Sequence, residues 1–355
     1  VVMKVKNYLI YLTLFLISFS PLNALAAEEE PLQMTELINE HINDAHDFHL
    51  FDYNGHSYSM PLPIILWTDN GLTTFMSCQF NHDNEGKVVV EKDGQRFVRF
   101  HEEIYYANAE APLNFDEKGA VTNARPLNFS ITKNVFSLLL VSVLLLITFI
   151  SMAHSYKKNA KAPKGIAALL EPIVLYVRDE IAIPNIGEKH YARYMPYLLT
   201  VFFLIWFGNL FGLIPFFPFA GTVTNNILFT GVLAVFTFII TLFSSNKNYW
   251  KHIFATPGVS PFLAPIMIPV EILSIFTKPF ALMVRLFANM TAGHIIILSL
   301  ISLIFIFGTV WVSPVSVVFA LFISTLELLV AILQAYVFTL LSALFIGQAV
   351  EEEHH

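Results

Sequence analysis

The chain has 355 residues, of which 55% are apolar and 13% charged, against about 25% charged in a typical soluble protein. So few charges cannot cover a soluble surface, which excludes a monomeric soluble enzyme and places most of the chain in lipid. The 20 basic and 27 acidic residues leave a net charge of -7, arguing against a nucleic-acid partner, and the single cysteine, Cys78, excludes an internal disulfide and a cysteine-based zinc site.

In chain order, Lys4 and Lys6 precede a short apolar run from Tyr8 to Ser18 and a small-residue site at Ala24-Leu25-Ala26. This reads as a cleaved secretory signal over residues 1–26, because the run is shorter than the roughly 20 residues that a spanning helix needs. Residues 27–132 carry most of the charge and are expected to form a small periplasmic domain. A polar helix is predicted over residues 34–45. Alternating runs around Asn54-Gly55 and Asp93-Gly94 then predict β-hairpins. His41, His46, His49 and His56 follow no closed zinc spacing and read as solvated surface histidines.

Residues 133–350 read as a transmembrane domain. The apolar segment 134–154 is long enough to span a bilayer and ends on Lys157, Lys158, Lys161 and Lys164, which the positive-inside rule assigns to the cytoplasm. The following stretch, with Arg178, Lys189 and Arg193, reads as an interfacial helix broken by Pro172 and Pro184. A second span is predicted over residues 196–217, leaving at a turn between Pro215 and Pro218, and a third over 227–243, returning to Lys247 and Lys251. As one helix, the apolar stretch 265–308 would measure on the order of 65 Å against a hydrocarbon core of about 30 Å, so it must tilt steeply or break. A turn from Gly308 to Pro314 leads into a last apolar helix and a cytoplasmic tail, 351–355. The expected fold is an all-α polytopic membrane protein of about five transmembrane helices, two of them long and tilted, with a small β-containing periplasmic N-terminal domain.

Five ionisable residues are embedded in this last apolar region: Glu271, Lys278, Arg285, His294 and Glu327. Each costs about 2.5–3.5 kcal/mol at mid-membrane, so several together point to function. Glu271, Ser274, Lys278, Arg285 and Asn289 recur at steps that keep them on one helix face, and His294 looks about half a turn away. If the two last helices form an antiparallel pair folded near position 311, levels match where residue numbers sum to roughly 621. His294 then comes level with Glu327, and Arg285 comes near Tyr336 and Gln334. Glu327 and His294 can relay protons near neutral pH. Arg285 cannot, because a guanidinium stays charged, but it can attract a carboxylate and favour its ionised form; no residue of this chain is placed as that carboxylate. Lys278 reads either as a structural lysine reaching the interface or as a channel residue. Glu271 reads as a channel group or a solvated helix-entry carboxylate. Asn289 and Gln334 read as channel groups or ordinary interhelical hydrogen-bonding residues, and Asn209 as structural.

The run from Glu271 to His294, EILSIFTKPFALMVRLFANMTAGH, resembles subunit a of the F-type ATP synthase membrane sector. The run NLFGLIP from Asn209 to Pro215, the spacing of Glu327 and Gln334, and the acidic-histidine tail from Glu351 support the resemblance, which covers about residues 134–355. It implies that Arg285 is the essential arginine facing the carboxylate of a rotating c-ring. It also implies that Asn289, His294, Glu327 and Gln334 line a periplasm-facing half-channel or its junction with the ring, and that Glu271 and Ser274 line a cytoplasmic one. Relatives in many bacteria carry the acid at position 294 and the histidine at 327; here the types are exchanged. The family implies a bacterial inner-membrane location, no catalytic, cofactor or metal site in this chain, and a first span standing apart from a four-helix core. Its implied partners are c-ring proteolipid subunits, peripheral-stalk b subunits and, through the stalk, the catalytic head. The exported domain departs from the many members that have only a short leader. A sodium-driven version of the same subunit is the alternative. A secondary transporter would need paired internal repeats, which this sequence lacks, and no phosphate-cradling Gly-Lys-Ser/Thr loop occurs.

Overall fold

In a computed structural model of the protein, residues 44–53, 56–108, 112–117, 119–158, 165–214, 223–254, 264–307 and 312–351 are described. The expected signal, His41, the Asn54-Gly55 pair, the Pro215–Pro218 turn and the tail beyond Glu351 lie outside them. So does nearly all of the helix expected over 34–45; its last residues, Asp44 and Ala45, are not helical.

The N-terminal region is built from β1 (Asp47–Tyr53), β2 (His56–Pro61), β3 (Pro63–Thr68), β4 (Gly71–Met76), β5 (Glu85–Lys92), β6 (Gln95–Phe100), β7 (Glu103–Tyr106) and β8 (Leu127–Asn128). They pair antiparallel as β1–β2, β4–β3–β8 and β5–β6–β7. The Asp93-Gly94 hairpin forms as the sequence predicts. Lys92 pairs with Gln95, and both turn residues take left-handed φ values, 51° and 73°, as a type I′ turn requires. Alternating inward residues Ile64, Leu66, Phe75, Phe97 and Ile104 close on Phe80 to make the core.

A polar cluster is buried beside that core. Arg99 donates from Nη1 to Asp47 Oδ2 (2.7 Å) and from Nε to the Asp83 carbonyl (2.8 Å). His46, expected in solvent, is instead buried. Its backbone N–H donates to Glu102 Oε2 (3.0 Å), and its ring lies 3.4 Å from that oxygen and 3.2 Å from Asn128 Nδ2. These partners are distant in sequence, so only strand assembly brings them to the histidine. The Glu102 carboxyl is raised by burial, but its hydrogen bond with His46 and the charge of Arg99 outweigh this and hold it below the ordinary carboxylate value.

The domain is tied directly to the first span. Asp44 accepts from Thr132 Oγ1 (2.9 Å) and from the Asn134 backbone N–H (3.0 Å), while Lys133 N–H donates to the Ala45 carbonyl (2.9 Å). These bonds satisfy donors that a helix start leaves free.

The helices are α1 (Lys133–Lys158), α2 (Ile166–Tyr176), α3 (Ile183–Ile186), α4 (Tyr191–Gly212), α5 (Ile227–Ser244), α6 (Lys247–Phe254), α7 (Ala264–Phe307) and α8 (Val312–Val350). Five of them, α1, α4, α5, α7 and α8, are long and apolar enough to cross a membrane. Asn226 caps α5 by accepting from Leu228 and Phe229 backbone N–H groups.

Two proline expectations are corrected. Pro172 lies inside α2 and Pro184 inside α3, and neither breaks the interfacial helix. Between α2 and α3 the chain widens into a π-helix, Val177–Ala182, in which Ile183 N–H reaches back to the Arg178 carbonyl. The hydrogen-bond ladder thus steps past the donor that Pro184 lacks. Likewise α7 runs unbroken through Pro269 and Pro279 for 44 residues, so tilt rather than a break accommodates its length of about 66 Å.

The bundle core joins Leu198, Val201 and Ile205 of α4 to Leu282 and Leu286 of α7 and to Ala335, Ala343 and Ile346 of α8. Small residues on α8 let backbones approach closely. The extreme case is Gly347, where a Cβ would strike the Asn185 carbonyl. α1 meets α4 through Phe149 and Phe203, 4.8 Å apart and edge-on, and leaves Leu139, Val143, Leu146, Ile147 and Ile150 exposed.

Candidate functional site

The embedded polar residues are distributed along α7 and α8, which pack against each other antiparallel. Toward the β domain, the carboxyl of buried Glu327 lies directly against Gly293, so that a Cβ there would overlap Oε1. Gly293 adjoins half-buried His294, so the expected match in level between His294 and Glu327 is found. Glu327 Oε2 has no hydrogen-bond partner among the described residues, and neither have the buried Thr291 Oγ1, Asn225 Oδ1 and Ser316 Oγ. Buried oxygens ordinarily bond to protein or to ordered water.

Asn209 ties this region together. Its Nδ2 donates to the Ala331 carbonyl (3.4 Å), one turn from Glu327, and its Oδ1 accepts from Thr224 Oγ1 (2.6 Å). Gln334 is buried on the same stripe of α8, two helical turns from Glu327.

Arg285 is exposed, as is Asn289 one turn beyond, while Leu282, Leu286 and Met290 turn into the bundle. Among the described residues Arg285 has no hydrogen-bond or ion-pair partner. It lines an open groove with Ser274, Lys278, Leu341 and Phe345. The ring of Tyr336, the residue expected at its level, meets Tyr176 at 6.2 Å. Side chains lean toward the N-terminus of their own helix, and the α8 residues that share the groove with Arg285, Leu341 and Phe345, lie more than a turn beyond Tyr336. Lys278 shows the same offset: Nζ donates to Gln348 Oε1 (2.9 Å) and lies 5.4 Å from the centre of the Phe345 ring.

At the end away from the β domain, Glu271 is half-buried. The short helix α6 packs on α7, and burial and then the Glu271 charge push its Tyr249 hydroxyl upward. Asn246 fixes α6 to the end of α8, its N–H donating to the Ala349 carbonyl (2.8 Å) and its Nδ2 to that of Val350 (3.0 Å). Gly293, Tyr249 and Gln348 are absent from the sequence-based set. Nothing in a single sequence marks a glycine whose missing Cβ makes room for a carboxyl on another helix, or a tyrosine delivered by a separate short helix.

The arrangement thus has two polar regions on α7–α8, at different depths, with an exposed guanidinium between them. Glu327 and His294 lie on one side of it, and Glu271, Ser274 and Lys278 on the other.

A family model described as ATP synthase A chain matches residues 135–347, and one described as a domain of unknown function (DUF8433) matches residues 37–129. The chain is similar to a Chloroherpeton thalassium protein named ATP synthase subunit a, 50% identical over 235 residues, covering 64% of this chain and 69% of that one. A Myxococcus xanthus protein of the same name is 48% identical over 235 residues, covering 64% and 76%. A Chlorobaculum tepidum protein named ATP synthase subunit a 2 is 51% identical over 230 residues, covering 62% and 64%.

Proposed function

The chain belongs to the ATP synthase A chain family, and from that premise we propose that it is the stationary, proton-conducting partner of a rotating ring, with Arg285 as the fixed counter-charge. Membership makes it an ion-translocating subunit of the membrane sector, not the catalytic subunit. The observation that carries the finer reading is the state of Arg285: exposed on a membrane-spanning helix, with no ionic partner among the described residues. A charge at that depth costs about 2.5–3.5 kcal/mol, and a carboxylate on a ring subunit passing the groove offsets it.

In this reading a proton enters from the side of the β domain past Glu327 and His294, with Asn289 and Gln334 along the path, and neutralises a ring carboxylate. The neutral carboxyl rotates through lipid. After nearly a full turn it reaches the path lined by Ser274, Lys278 and Glu271, where Arg285 favours its ionised form and the proton leaves. The permanent charge of Arg285 also blocks direct passage between the two paths. Each charge crossing is worth about 2.3 kcal/mol per 100 mV, so several are summed per ATP. The β domain is assigned to the periplasm after removal of residues 1–26, and the C-terminus to the cytoplasm of a bacterium's inner membrane. Peripheral-stalk b subunits hold the chain against the head.

The test is a cross-link. In a Cys78→Ser background, Ala281→Cys, in the Arg285 groove, is expected to form a disulfide with a cysteine on the acid-bearing helix of the ring subunit in the intact complex. Failure at every position along that helix would overturn the reading. Transport by reconstituted complex at pH 7 without sodium separates the proton from the sodium version.

A further inference from the structure

The sheet β4–β3–β8 is apolar on both faces. Its inner face contributes Ile64, Leu66 and Phe75 to the core. An antiparallel sheet packed on one side ordinarily presents polar residues on the other. Here Trp67 pairs directly with Leu72 on one side and Leu127 on the other, and all are exposed, at 57%, 59% and 64%. Phe129, whose N–H continues the ladder to the Ile65 carbonyl, is 63% exposed, and Met76 lies on the same face. Between these residues stand Pro63, Ile65 and Thr74, so the paired part of the face carries no charge. Contiguous apolar area of this kind, on an otherwise charged domain, marks an interaction surface.

We propose that this face rests on the membrane itself, in the headgroup and upper acyl region of the leaflet next to the β domain. Continuity with the lipid-facing surface of α1 selects lipid over another protein. The pairing of β8 runs on through Phe129 to Ile131, whose N–H donates to the Pro63 carbonyl, and α1 starts at Lys133. That junction is fixed by Asp44 and Ala45 without slack. Leu127 is six residues from the helix start, at most about 20 Å along the chain, and a sheet lying flat keeps the whole face at the surface. The lipid-facing residues of α1 begin with Val135 and Leu139, so the apolar surface is interrupted only by the turn into the helix. Trp and Phe at that depth behave as the aromatic residues that anchor spans at the interface.

The test places single cysteines in the full chain within the intact complex, in a Cys78→Ser background: Trp67→Cys and Leu127→Cys on the face, and Glu91→Cys, exposed on β5 of the β5–β6–β7 sheet. Each is labelled with an environment-sensitive fluorophore and reconstituted into phosphatidylcholine vesicles that carry nitroxides on the headgroup or at shallow acyl positions. The nitroxides are expected to quench positions 67 and 127 severalfold more strongly than position 91, with iodide in the water showing the reverse. Strong quenching of 67 and 127 by iodide would overturn the proposal in favour of an open surface. Protection from both quenchers would overturn it in favour of a protein partner. Wild-type hydrogen-exchange protection in β3 and β6 verifies that each variant folds; if both face variants lose it, Leu72→Cys takes their place.

Discussion

The carboxyl of Glu327 on α8 occupies the space that a side chain at Gly293 on α7 would fill. The two long helices are therefore matched at the level of His294 and Glu327, and the match depends on the absence of one methyl group. Gly293→Ala pushes the carboxyl from this position. It is expected to lower gradient-driven ATP synthesis severalfold in inverted vesicles. Glu327→Asp, one methylene shorter, relieves the overlap, so the double variant should recover part of the loss in a double-mutant cycle. Simple additivity of the two single losses would mean that the residues do not meet.

Arg285 carries the coupling in the proposed mechanism. Arg285→Ala is expected to reduce gradient-driven synthesis below detection, while ATP hydrolysis by the detached head is unchanged. Arg285→Lys keeps a charge but loses the planar fork that holds a carboxylate bidentately, and is also expected to fail in synthesis. Vesicles containing either variant, assayed for synthesis and hydrolysis side by side, check this; robust coupled synthesis in the alanine variant would be contrary.

Much of this site was legible in the sequence because membrane burial makes ionisable residues conspicuous and a straight helix fixes their relative faces. The stripe from Ser274 through Arg285, and the shared level of His294 and Glu327, followed from counting residues. Counting Cα positions could not supply the reach of long side chains. Lys278 bonds Gln348, more than a turn beyond its matched level, and Arg285 shares its groove with Leu341 and Phe345. The two interfacial prolines misled for a related reason: a π-turn can absorb a missing donor, and no local residue pattern announces one. In the β domain, turn chemistry gave the Asp93-Gly94 hairpin, but the burial of His46 depends on Glu102 and Asn128 arriving from remote strands.

Close packing of α8 on α3 rests on Gly347. A Cβ there meets the Asn185 backbone carbonyl, which cannot move aside as a flexible side chain can. Gly347→Ala is expected to destabilise the bundle by about 1–3 kcal/mol, as overpacking does. Gly208→Ala, inside α4 with nothing near the new methyl, is expected to keep stability or raise it by up to about 1 kcal/mol. Thermal melts of the two variants in detergent, followed by tryptophan fluorescence, compare them directly.

Asp44 holds the first turn of α1 by accepting from Thr132 and Asn134. Asp44→Ala removes both bonds, at a cost of about 1 kcal/mol on the scale of helix capping. Hydrogen exchange at Asn134 should quicken, while exchange in the middle of α1 stays at its wild-type rate. Unchanged exchange at Asn134 would show that the aspartate does not hold the helix start.

Acid should loosen the β domain through Glu102. In the fold its carboxyl lies below the ordinary value of 4.5, because the His46 hydrogen bond and Arg99 outweigh the effect of burial. A depressed carboxyl means that the unfolded chain binds the proton more readily than the folded one. The stabilisation is therefore complete above pH 4.5 and is lost as pH falls through the lower folded value. Glu102→Gln cannot ionise. It is expected to cost about 1–3 kcal/mol at pH 7, the range for leaving buried charged partners under-satisfied, with the difference from wild type shrinking as the acid limb is crossed. Exchange protection of β6 and β7 in the full-length protein, corrected for intrinsic rates and followed from pH 7 to pH 3, reads this difference. Parallel curves for the two proteins would remove Glu102 as the source of the acid sensitivity and leave Asp47, the other carboxylate on Arg99, as the group to test.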